Sequence, residues 1–282
     1  MTFSLAVPNK GRMKEPTVGL LTDAGLRFET TDRALSVPVR NVDMELLFVR
    51  TDDIAELVSD GVADAGITGI DLIAEHGNGL STLVELGYGH CRLAAAVPND
   101  SPIEKVDEFA GLRVATAHPR ATSKFFADRN IEVNIIELRG SVEVATKIGV
   151  ADAIVDLISS GSTMRVNGLR PVGTLIDSQA VLFCRADTGN APEVQQVATA
   201  IKAVVAGRNK RYLLLNAPRA ALETIIALIP GLNSPTVVPL ADSDMVAIHS
   251  VVAAADMWSL LPRLEQAGGS GILVLPIEQL LP

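Results

Sequence analysis

Residues 151–163 read Ala-Asp-Ala-Ile-Val-Asp-Leu-Ile-Ser-Ser-Gly-Ser-Thr. The pattern predicts a short apolar strand that carries Asp152 and Asp156, then a hydroxyl-rich turn with Gly161, then a helix that starts near Thr163. Glycine lets successive backbone N–H groups of such a turn point at one phosphate. The two carboxylates only accept hydrogen bonds, so they suit sugar hydroxyls or a hydrated metal ion. The segment indicates a phosphorylated sugar as ligand, although a Ser/Gly turn after a strand can be only a turn.

The pentapeptide Gly-Val-Ala-Asp-Ala occurs at 61–65 and again at 149–153. Each copy follows a predicted helix with a hydroxyl residue, Thr51 or Ser141, as its predicted N-cap, and each precedes a predicted strand. The repeat predicts two α/β lobes of similar plan that enclose a cleft. Asp64 is interpreted as an acceptor for backbone donors at a turn, and that interpretation also stays open for Asp152.

A basic turn follows the first predicted strand, Phe3–Val7. Ligands of open α/β sheets bind at the carboxyl ends of strands, so Lys10 and Arg12 are placed to meet an anion. A solvated basic turn is the alternative. Residues 83–98 are predicted to be one continuous strand that crosses to the second lobe, and residues 173–185 are predicted to return to the first. Short helices are predicted at 102–109 and 141–148.

The pattern beyond Gly207 differs from that of the two lobes. Strands and helices follow one another in the order β-α-β-β-α-β, which is the order of a ferredoxin-like sandwich. Domains of this plan bind small regulators or pair with one another, an analogy that rests on fold alone.

Composition limits the class of protein. The 282 residues suffice for two or three domains, and a hydrophobic fraction of 48% with only 4% aromatic residues is typical of α/β packing. A net charge of −9 argues against nucleic-acid binding through the overall field. Cys91 and Cys184 lack metal-ligand spacing, the start lacks a basic signal region, and no apolar run approaches the ~20 residues of a membrane span. We therefore expect a soluble cytoplasmic protein with no membrane partner.

These features occur together in one known family. Lys10-Gly-Arg12, Gly66-Ile-Thr-Gly-Ile-Asp71, residues 151–163 and the βαββαβ tail, in this order, resemble the long form of ATP phosphoribosyltransferase over essentially the whole chain. The resemblance implies an α/β fold with two periplasmic-binding-protein-like (type II) lobes and a C-terminal ferredoxin-like domain. The implied divisions are residues 1–92 with 178–207 for the first lobe, 93–177 for the second and 208–282 for the regulatory domain.

The resemblance also implies an activity. The family transfers the phosphoribosyl group of phosphoribosyl pyrophosphate (PRPP) to N1 of the ATP adenine and releases pyrophosphate, with Mg²⁺ present, as the first step of histidine biosynthesis. Its members form dimers and hexamers, and the long form is inhibited by histidine. Direct metal ligands are not implied for any residue.

Site residues carried over from the resemblance fall into four groups. The catalytic group is Asp152, Asp156 and Glu143; the loop for the 5′-phosphate is Ser159, Ser160, Gly161, Ser162 and Thr163; the nucleotide and polyphosphate group is Lys10, Arg12, Gly69, Asp71 and Arg92; the histidine site is Asn216, Leu232, Ser234, Thr236 and Gly271. Asn216 replaces an Asp found in some members, which places the affinity for histidine in doubt.

Two alternatives stay open. One is a two-lobed solute-binding protein with an attached sensor domain, and the other is a phosphoribosyltransferase that uses a different base. The four histidines, His76, His90, His118 and His249, are scattered and form no nucleophilic triad, so they are predicted to be structural or solvated.

Overall fold

The chain forms two compact units in a computed structural model that describes residues 2–30, 34–159, 161–229, 231, 234–242 and 244–281. The first unit comprises residues 1–19 and 26–196, and the second comprises residues 20–25 and 197–282. The helices are α1 Lys14–Asp23, α2 Ile54–Ser59, α3 Ile70–His76, α4 Pro119–Ala127, α5 Ser162–Val166, α6 Pro192–Arg208, α7 Leu222–Leu228 and α8 Met257–Gln266.

The first unit contains two sheets. One has six strands in the order β2-β3-β1-β4-β11-β5, with bounds β1 Phe3–Pro8, β2 Ser36–Pro38, β3 Met44–Val49, β4 Ala65–Gly69, β5 Leu80–Glu85 and β11 Ala180–Arg185. The other has five strands in the order β10-β6-β9-β7-β8, with bounds β6 Cys91–Pro98, β7 Arg113–Thr116, β8 Asn134–Glu137, β9 Ala153–Ile158 and β10 Leu169–Ser178. Strands β1, β3 and β4 run parallel, as do β7, β8 and β9. The two sheets are the predicted pair of α/β lobes, called below the first and the second lobe.

The chain crosses between the lobes twice, from β5 to β6 and from β10 to β11. The prediction of one continuous strand over 83–98 is wrong, because residues 86–90 interrupt it. Gly87 and Gly89 have φ of 73° and 71°, a left-handed conformation that breaks the extended pleat. The lobe and domain boundaries predicted at residues 92, 177 and 207 stay predictions.

The repeated pentapeptide has the same structure in both lobes. Gly61 and Gly149 have φ of 75° and 74°. Asp64 accepts the N–H of Ser4 on β1 at 2.7 Å, and Asp152 accepts the N–H of Arg113 on β7 at 2.9 Å. The carboxylate of each aspartate therefore accepts a backbone N–H at the start of the neighbouring parallel strand. This agrees with the interpretation of Asp64 as an acceptor for backbone donors.

Two predicted helices are only single 3₁₀ turns, Val106–Glu108 and Val142–Val144. Ser141 has φ of 50° and its hydroxyl oxygen accepts no capping hydrogen bond, and Gly140 before it also has a positive φ of 131°. The left-handed entry means that the 142–144 turn begins without the N-cap that the sequence prediction assumed. The N-cap prediction for Thr51 is also wrong, since it lies inside a 3₁₀ turn whose N-cap position is Arg50.

The second unit contains an antiparallel sheet in the order β13-β14-β12-β15, with bounds β12 Lys210–Pro218, β13 Thr236–Pro239, β14 Met245–Ala253 and β15 Ser270–Pro276. Helices α7 and α8 cover one face through a core that includes Leu213, Leu215, Ile225, Ile248 and Leu264. This is the predicted ferredoxin-like order. No helix in the described part of the chain is long and apolar enough to span a membrane.

Replacing Gly66 of β4 with alanine is expected to destabilise the first lobe. A Cβ there would lie 2.7 Å from Ile54 Cγ2 and 2.9 Å from Phe183 Cζ, and both side chains are fully buried. Overpacking of this kind costs about 1–3 kcal/mol, which urea unfolding of Gly66→Ala would measure. The control Gly19→Ala lies in α1, where a Cβ meets nothing within 4 Å, and is expected to stabilise by about 0.5–1 kcal/mol. Equal stability of the two variants would contradict this account.

Candidate functional site

The hydroxyl-rich loop follows β9 directly. Gly161 has φ of 71° and stands at the N-cap position of α5, while Ser159, Ser162 and Thr163 are exposed. Met164, on the next turn, is 4% exposed and anchors the loop in the core of the second lobe. The predicted Ser160 lies outside the described residues. Hydroxyl side chains of the loop are therefore exposed to solvent, while the buried Met164 holds the loop against the second lobe.

A cavity of about 290 Å³ lies where this loop meets the two crossings between the lobes. It is lined by His90, Cys91, Arg92, Ile158, Ser159, Asp177, Ser178 and Gln179. Antiparallel pairing places Arg92 opposite Ile158 and also opposite Asp177. The structure thus brings the predicted phosphate contact Arg92 to the predicted phosphate loop.

Asp156 and Glu143 form an acidic pair in the second lobe. Asp156 is half-buried on β9, and Leu157 donates its backbone N–H to Asp156 Oδ1 at 2.7 Å. Burial raises the pKa of Asp156 above its usual range; the hydrogen bond from Leu157 opposes this, and the negative charge of Glu143 adds a smaller upward effect. Within the described residues, no group of three or more His, Cys, Asp or Glu could hold a metal ion. Strand β9, which carries Asp156, packs against the turn that carries Glu143, and the charge of Glu143 acts on the pKa of Asp156.

Asp152 does not join this pair. It stands at the amino end of β9, whereas the loop stands at the carboxyl end. Its carboxylate accepts the Nη2 of Arg113 at 2.7 Å, the Nε at 3.1 Å and the backbone N–H at 2.9 Å. These hydrogen bonds hold the pKa of Asp152 below its usual range. The structure therefore shows Asp152 engaged with a strand neighbour rather than with the loop.

The basic turn projects from the carboxyl end of β1. Gly11 has φ of 75°, and Lys10 and Arg12 on either side are exposed. Among the described residues neither side chain forms an ion pair. Both charges remain available to an anion, as the sequence predicts.

Asp71 and Gly69 are buried rather than open to solvent. Asp71 begins α3, is 4% exposed, and accepts the hydroxyl of Ser178. A Cβ on Gly69 would collide with the same carboxylate, so only glycine fits there. Burial alone would raise the pKa of Asp71, but the interactions with His118 and Ser178 outweigh it and leave the pKa below its usual range.

The sequence analysis predicted His118 to be structural or solvated and did not include it among the site residues. It is 6% exposed, and its Nε2 lies 3.7 Å from Asp71 Oδ2, longer than an ordinary hydrogen bond but close enough for electrostatic attraction. Its position at the carboxyl end of β7, directly before the proline that opens α4, was the available sequence signal.

Three residues of the predicted histidine site share the helix-free face of the third sheet. Asn216 on β12 pairs with Ala247, whose partner on β13 is Val238, two positions from Thr236. Gly271 on β15 has φ of 57°, and a Cβ there would lie 3.5 Å from the Asn216 amide nitrogen. Ser234 is exposed, and Leu232 lies outside the described residues.

Two α/β lobes joined by two crossings, with a hydroxyl-rich loop on one and a basic turn on the other, define a two-lobed α/β protein of the periplasmic-binding-protein-like kind. The chain belongs to the ATP phosphoribosyltransferase family, whose model matches residues 50–203; the model of the family's C-terminal domain matches residues 207–279. The predicted family, long form and fold class are confirmed, and the chain is an enzyme of the glycosyltransferase type.

Relatives named ATP phosphoribosyltransferase match along the whole chain. The protein of Gemmatimonas aurantiaca is 42% identical over 99% of both chains, and that of Methanosarcina barkeri is 37% identical over 99% of both chains. A solved structure described as an ATP phosphoribosyl transferase (HisG:HisZ) complex from Thermotoga maritima has a TM-score of 0.59 and 25% identity, and covers 71% of this chain and 98% of that one.

Asp156→Asn is expected to raise the melting temperature at pH 8. The raised pKa means that ionised Asp156 destabilises the fold, and the penalty disappears as the pH falls through the folded pKa. Asparagine keeps an oxygen for the Leu157 N–H but carries no charge. Differential scanning fluorimetry should show a gain of a few degrees, since about 1 kcal/mol corresponds to roughly 2–4 °C in a chain of this size, and the gain should shrink as the pH is lowered toward the usual pKa range of an aspartate.

The matched control is Asp152→Asn, for which the opposite sign is expected. The pKa of Asp152 is lowered by Arg113, so its charge contributes stability above the unfolded pKa and loses it only as the pH falls through the lower, folded pKa. Its melting temperature should lie at or slightly below that of the wild type at pH 8. A gain for Asp152→Asn or a loss for Asp156→Asn would contradict the assignment.

Proposed function

We propose that this enzyme transfers the phosphoribosyl group of PRPP to N1 of the ATP adenine, releases pyrophosphate, and so performs the first step of histidine biosynthesis. The observation that supports it most directly is the carboxyl end of β9, where the 159–163 loop follows Asp156 along the chain and the charge of Glu143 acts on Asp156, in a chain that belongs to this family. A sugar phosphate needs donors for its phosphate and acceptors for its hydroxyls. The grouping supplies both side by side.

The loop binds the 5′-phosphate in this proposal. Its exposed hydroxyls and the amides around Gly161 donate to the phosphate oxygens. Asp156, with Glu143 beside it, accepts from the ribose hydroxyls. Its position within β9 fixes it on the rigid sheet rather than on a mobile loop, and rigid placement of a binding group favours catalysis.

Lys10, Arg12 and Arg92 neutralise the polyphosphates. Arg92 lines the cavity that Ser159 also lines, so it serves the substrate in the second lobe. Lys10 and Arg12 extend from the first lobe toward the other anion. Gly69 and Asp71 are proposed to border the nucleotide side of the cleft, and Asp71 also accepts a hydrogen bond from Ser178, which lines the cavity beside Arg92.

The reaction needs positioning and charge more than covalent help. The N1 lone pair forms a bond to C1′ while the bond from C1′ to pyrophosphate breaks, and pyrophosphate leaves with the electron pair. The exocyclic amine then releases a proton to water. Positive charge that develops on the ribose is stabilised by nearby carboxylates, and pyrophosphate by the basic groups. Holding both substrates at attack distance supplies much of the rate enhancement.

Magnesium is proposed to arrive on the substrates. Mg²⁺ prefers oxygen ligands and is commonly bound through substrate phosphates rather than by an all-protein cage. It would help to neutralise the charge of the departing pyrophosphate.

Histidine is proposed to inhibit through the third sheet. Asn216, Thr236 and Gly271 lie on its helix-free face, and Gly271 leaves room beside the Asn216 amide. We also propose that the enzyme forms dimers or hexamers; the Thermotoga maritima relative is described as part of a complex. Exposed apolar residues on the third sheet, such as Val238 and Leu273, are suited to such contacts.

Pyrophosphate release from purified full-length protein with ATP, PRPP and Mg²⁺ tests the reaction. Asp156→Asn is expected to lower kcat/KM for PRPP by about 100-fold, the size of effect seen when one electrostatic group of an active site is removed. Binding of ATP, measured by calorimetry, should change little. Asp152→Asn should stay within about threefold of the wild type, because the residue is occupied by Arg113 and removal of surface pairs costs little.

The same assay separates the alternatives. Ligand binding without turnover would favour a solute-binding protein, and faster turnover with another base in place of ATP would favour a different phosphoribosyltransferase. Equal losses in Asp156→Asn and Asp152→Asn would contradict the division of roles proposed for the two aspartates.

Inhibition by histidine is expected to weaken in Gly271→Ala while uninhibited turnover stays unchanged. The new Cβ would stand 3.5 Å from the Asn216 amide nitrogen, and the φ of 57° disfavours a side chain. Asn216→Asp is the matched variant, for which stronger inhibition is expected because a carboxylate pairs better with the amine of histidine. Unchanged inhibition constants in both variants would remove this face from the regulatory site.

A further inference from the structure

The second crossing between the lobes consists of a single residue. Strand β10 ends at Ser178 in the sheet of the second lobe, and β11 begins at Ala180 in the sheet of the first, so Gln179 alone joins them. Gln179 also lines the cavity that Arg92 lines. Any rotation of one lobe against the other has to change the backbone here and in the first crossing, residues 86–90.

The side chain of Gln179 ties the second crossing to the first. Its Oε1 accepts the backbone N–H of Gly87 at 3.1 Å, and its Nε2 donates to Glu85 Oε2 at 2.7 Å. The orientation of the amide follows from its partners, because the Gly87 N–H only donates and an ionised Glu85 only accepts. We call these two hydrogen bonds the crossing tie.

Backbone pairing holds the two crossings together on both sides of Gln179. Toward the first lobe, Ala180 accepts the N–H of Leu86 at 3.0 Å and donates its own N–H to Tyr88 at 2.9 Å. Toward the second lobe, β10 and β6 are paired as far as the residue before Gln179, which lies opposite Cys91. The crossing tie lies between these two paired stretches, where the chain passes from one sheet to the other.

We propose that Gln179 is a positioning residue whose crossing tie fixes the angle between the lobes at which the two substrates meet. The inference rests on the proposed function, which places PRPP on the second lobe and the other anion toward the basic turn of the first. The subsite on each lobe forms without the tie, but the distance between the reacting atoms depends on it. Small errors in that distance are costly for the reaction.

An exchange of the two tied side chains tests the proposal. Gln179→Glu keeps the length of the side chain and an oxygen for the Gly87 N–H, but it places a second carboxylate against Glu85 in place of the Nε2 donor. Two like charges at this distance repel each other. Adding Glu85→Gln restores one donor and one acceptor with their roles exchanged. Glu85→Gln alone is the control, because its amide oxygen still accepts from Gln179.

We expect Gln179→Glu to lower kcat about tenfold while KM for PRPP and KM for ATP each change less than about threefold, because the subsites stay intact and only their relative placement is disturbed. The melting temperature should stay within a few degrees of the wild type, since exposed hydrogen bonds contribute little to stability. The exchanged pair should recover kcat to within about twofold of the wild type, because the loss belongs to the pair and not to either residue. Glu85→Gln alone should match the wild type.

The exchanged pair also separates the crossing tie from a simple effect of charge. Gln179→Glu adds a negative charge to a cavity that is proposed to bind an anion, and the exchanged pair keeps that charge at position 179. If the charge alone were responsible, KM for PRPP would rise and the exchanged pair would not recover.

Turnover by the wild type separates this inference from the proposed function. No turnover by the wild type would overturn the proposed function and this inference with it. Turnover by the wild type with unchanged kcat in Gln179→Glu would overturn the inference alone, and so would an exchanged pair that fails to recover. If Gln179→Glu does not fold, the exchanged pair decides, since it should fold and turn over like the wild type, and its failure to do so would contradict the proposal.

Discussion

Two carboxylates buried on one face of α3 are the constraint on which the arrangement of the first unit depends. A buried carboxylate needs hydrogen bonds or an opposite charge, and neither Asp71 nor Glu75 finds them within its own helix. Glu75 takes them from the first N–H groups of α4, which makes it a capping residue supplied by the other lobe. His118, the N-cap residue of α4, makes no capping bond of its own, which leaves those amides to Glu75.

The buried carboxylate of Asp71 explains one of the two glycines that precede it, and side-chain packing explains the other. Gly69 is required because a Cβ there would meet the Asp71 carboxylate, and Gly66 because Ile54 and Phe183 fill the space above it. The segment Gly66-Ile-Thr-Gly-Ile-Asp71 resembles a ligand loop in sequence. Gly66 makes room for the packing of Ile54 and Phe183, and Gly69 makes room for the Asp71 carboxylate. A pattern of glycines in the sequence therefore did not reveal whether each glycine makes room for a ligand or for a side chain of the protein.

The strands were predictable where an apolar run is closed by turn residues, as in β1, which was predicted at Phe3–Val7 and extends over Phe3–Pro8. The order of the third sheet followed from the same reasoning. The failures have local causes. The turns at 106–108 and 142–144 carry helix-like composition but are too short to propagate, and the left-handed conformations of Gly140 and Ser141 depend on contacts that no window of sequence contains. The hydrogen bonds between Glu75 and the start of α4 join residues 45 or more positions apart, so the local sequence pattern could not predict them.

The two copies of the repeated pentapeptide share a structural role, and the residue four positions after the shared aspartate differs between them. The two copies agree from Gly61 to Ala65 and from Gly149 to Ala153 because both need a left-handed glycine and an aspartate bound to the neighbouring strand. Four residues after each aspartate the copies differ. The first lobe has Thr68, fully buried, whose hydroxyl donates to the Thr51 carbonyl at 3.0 Å, whereas the second has Asp156, whose pKa burial and Glu143 raise. The hydrogen-bonded Thr68 stabilises its lobe, whereas burial and the charge of Glu143 oppose ionisation of Asp156. Groups whose pKa is shifted in this way are concentrated at functional sites, and Asp156, the residue at which the two copies differ, is the one that the proposed function uses.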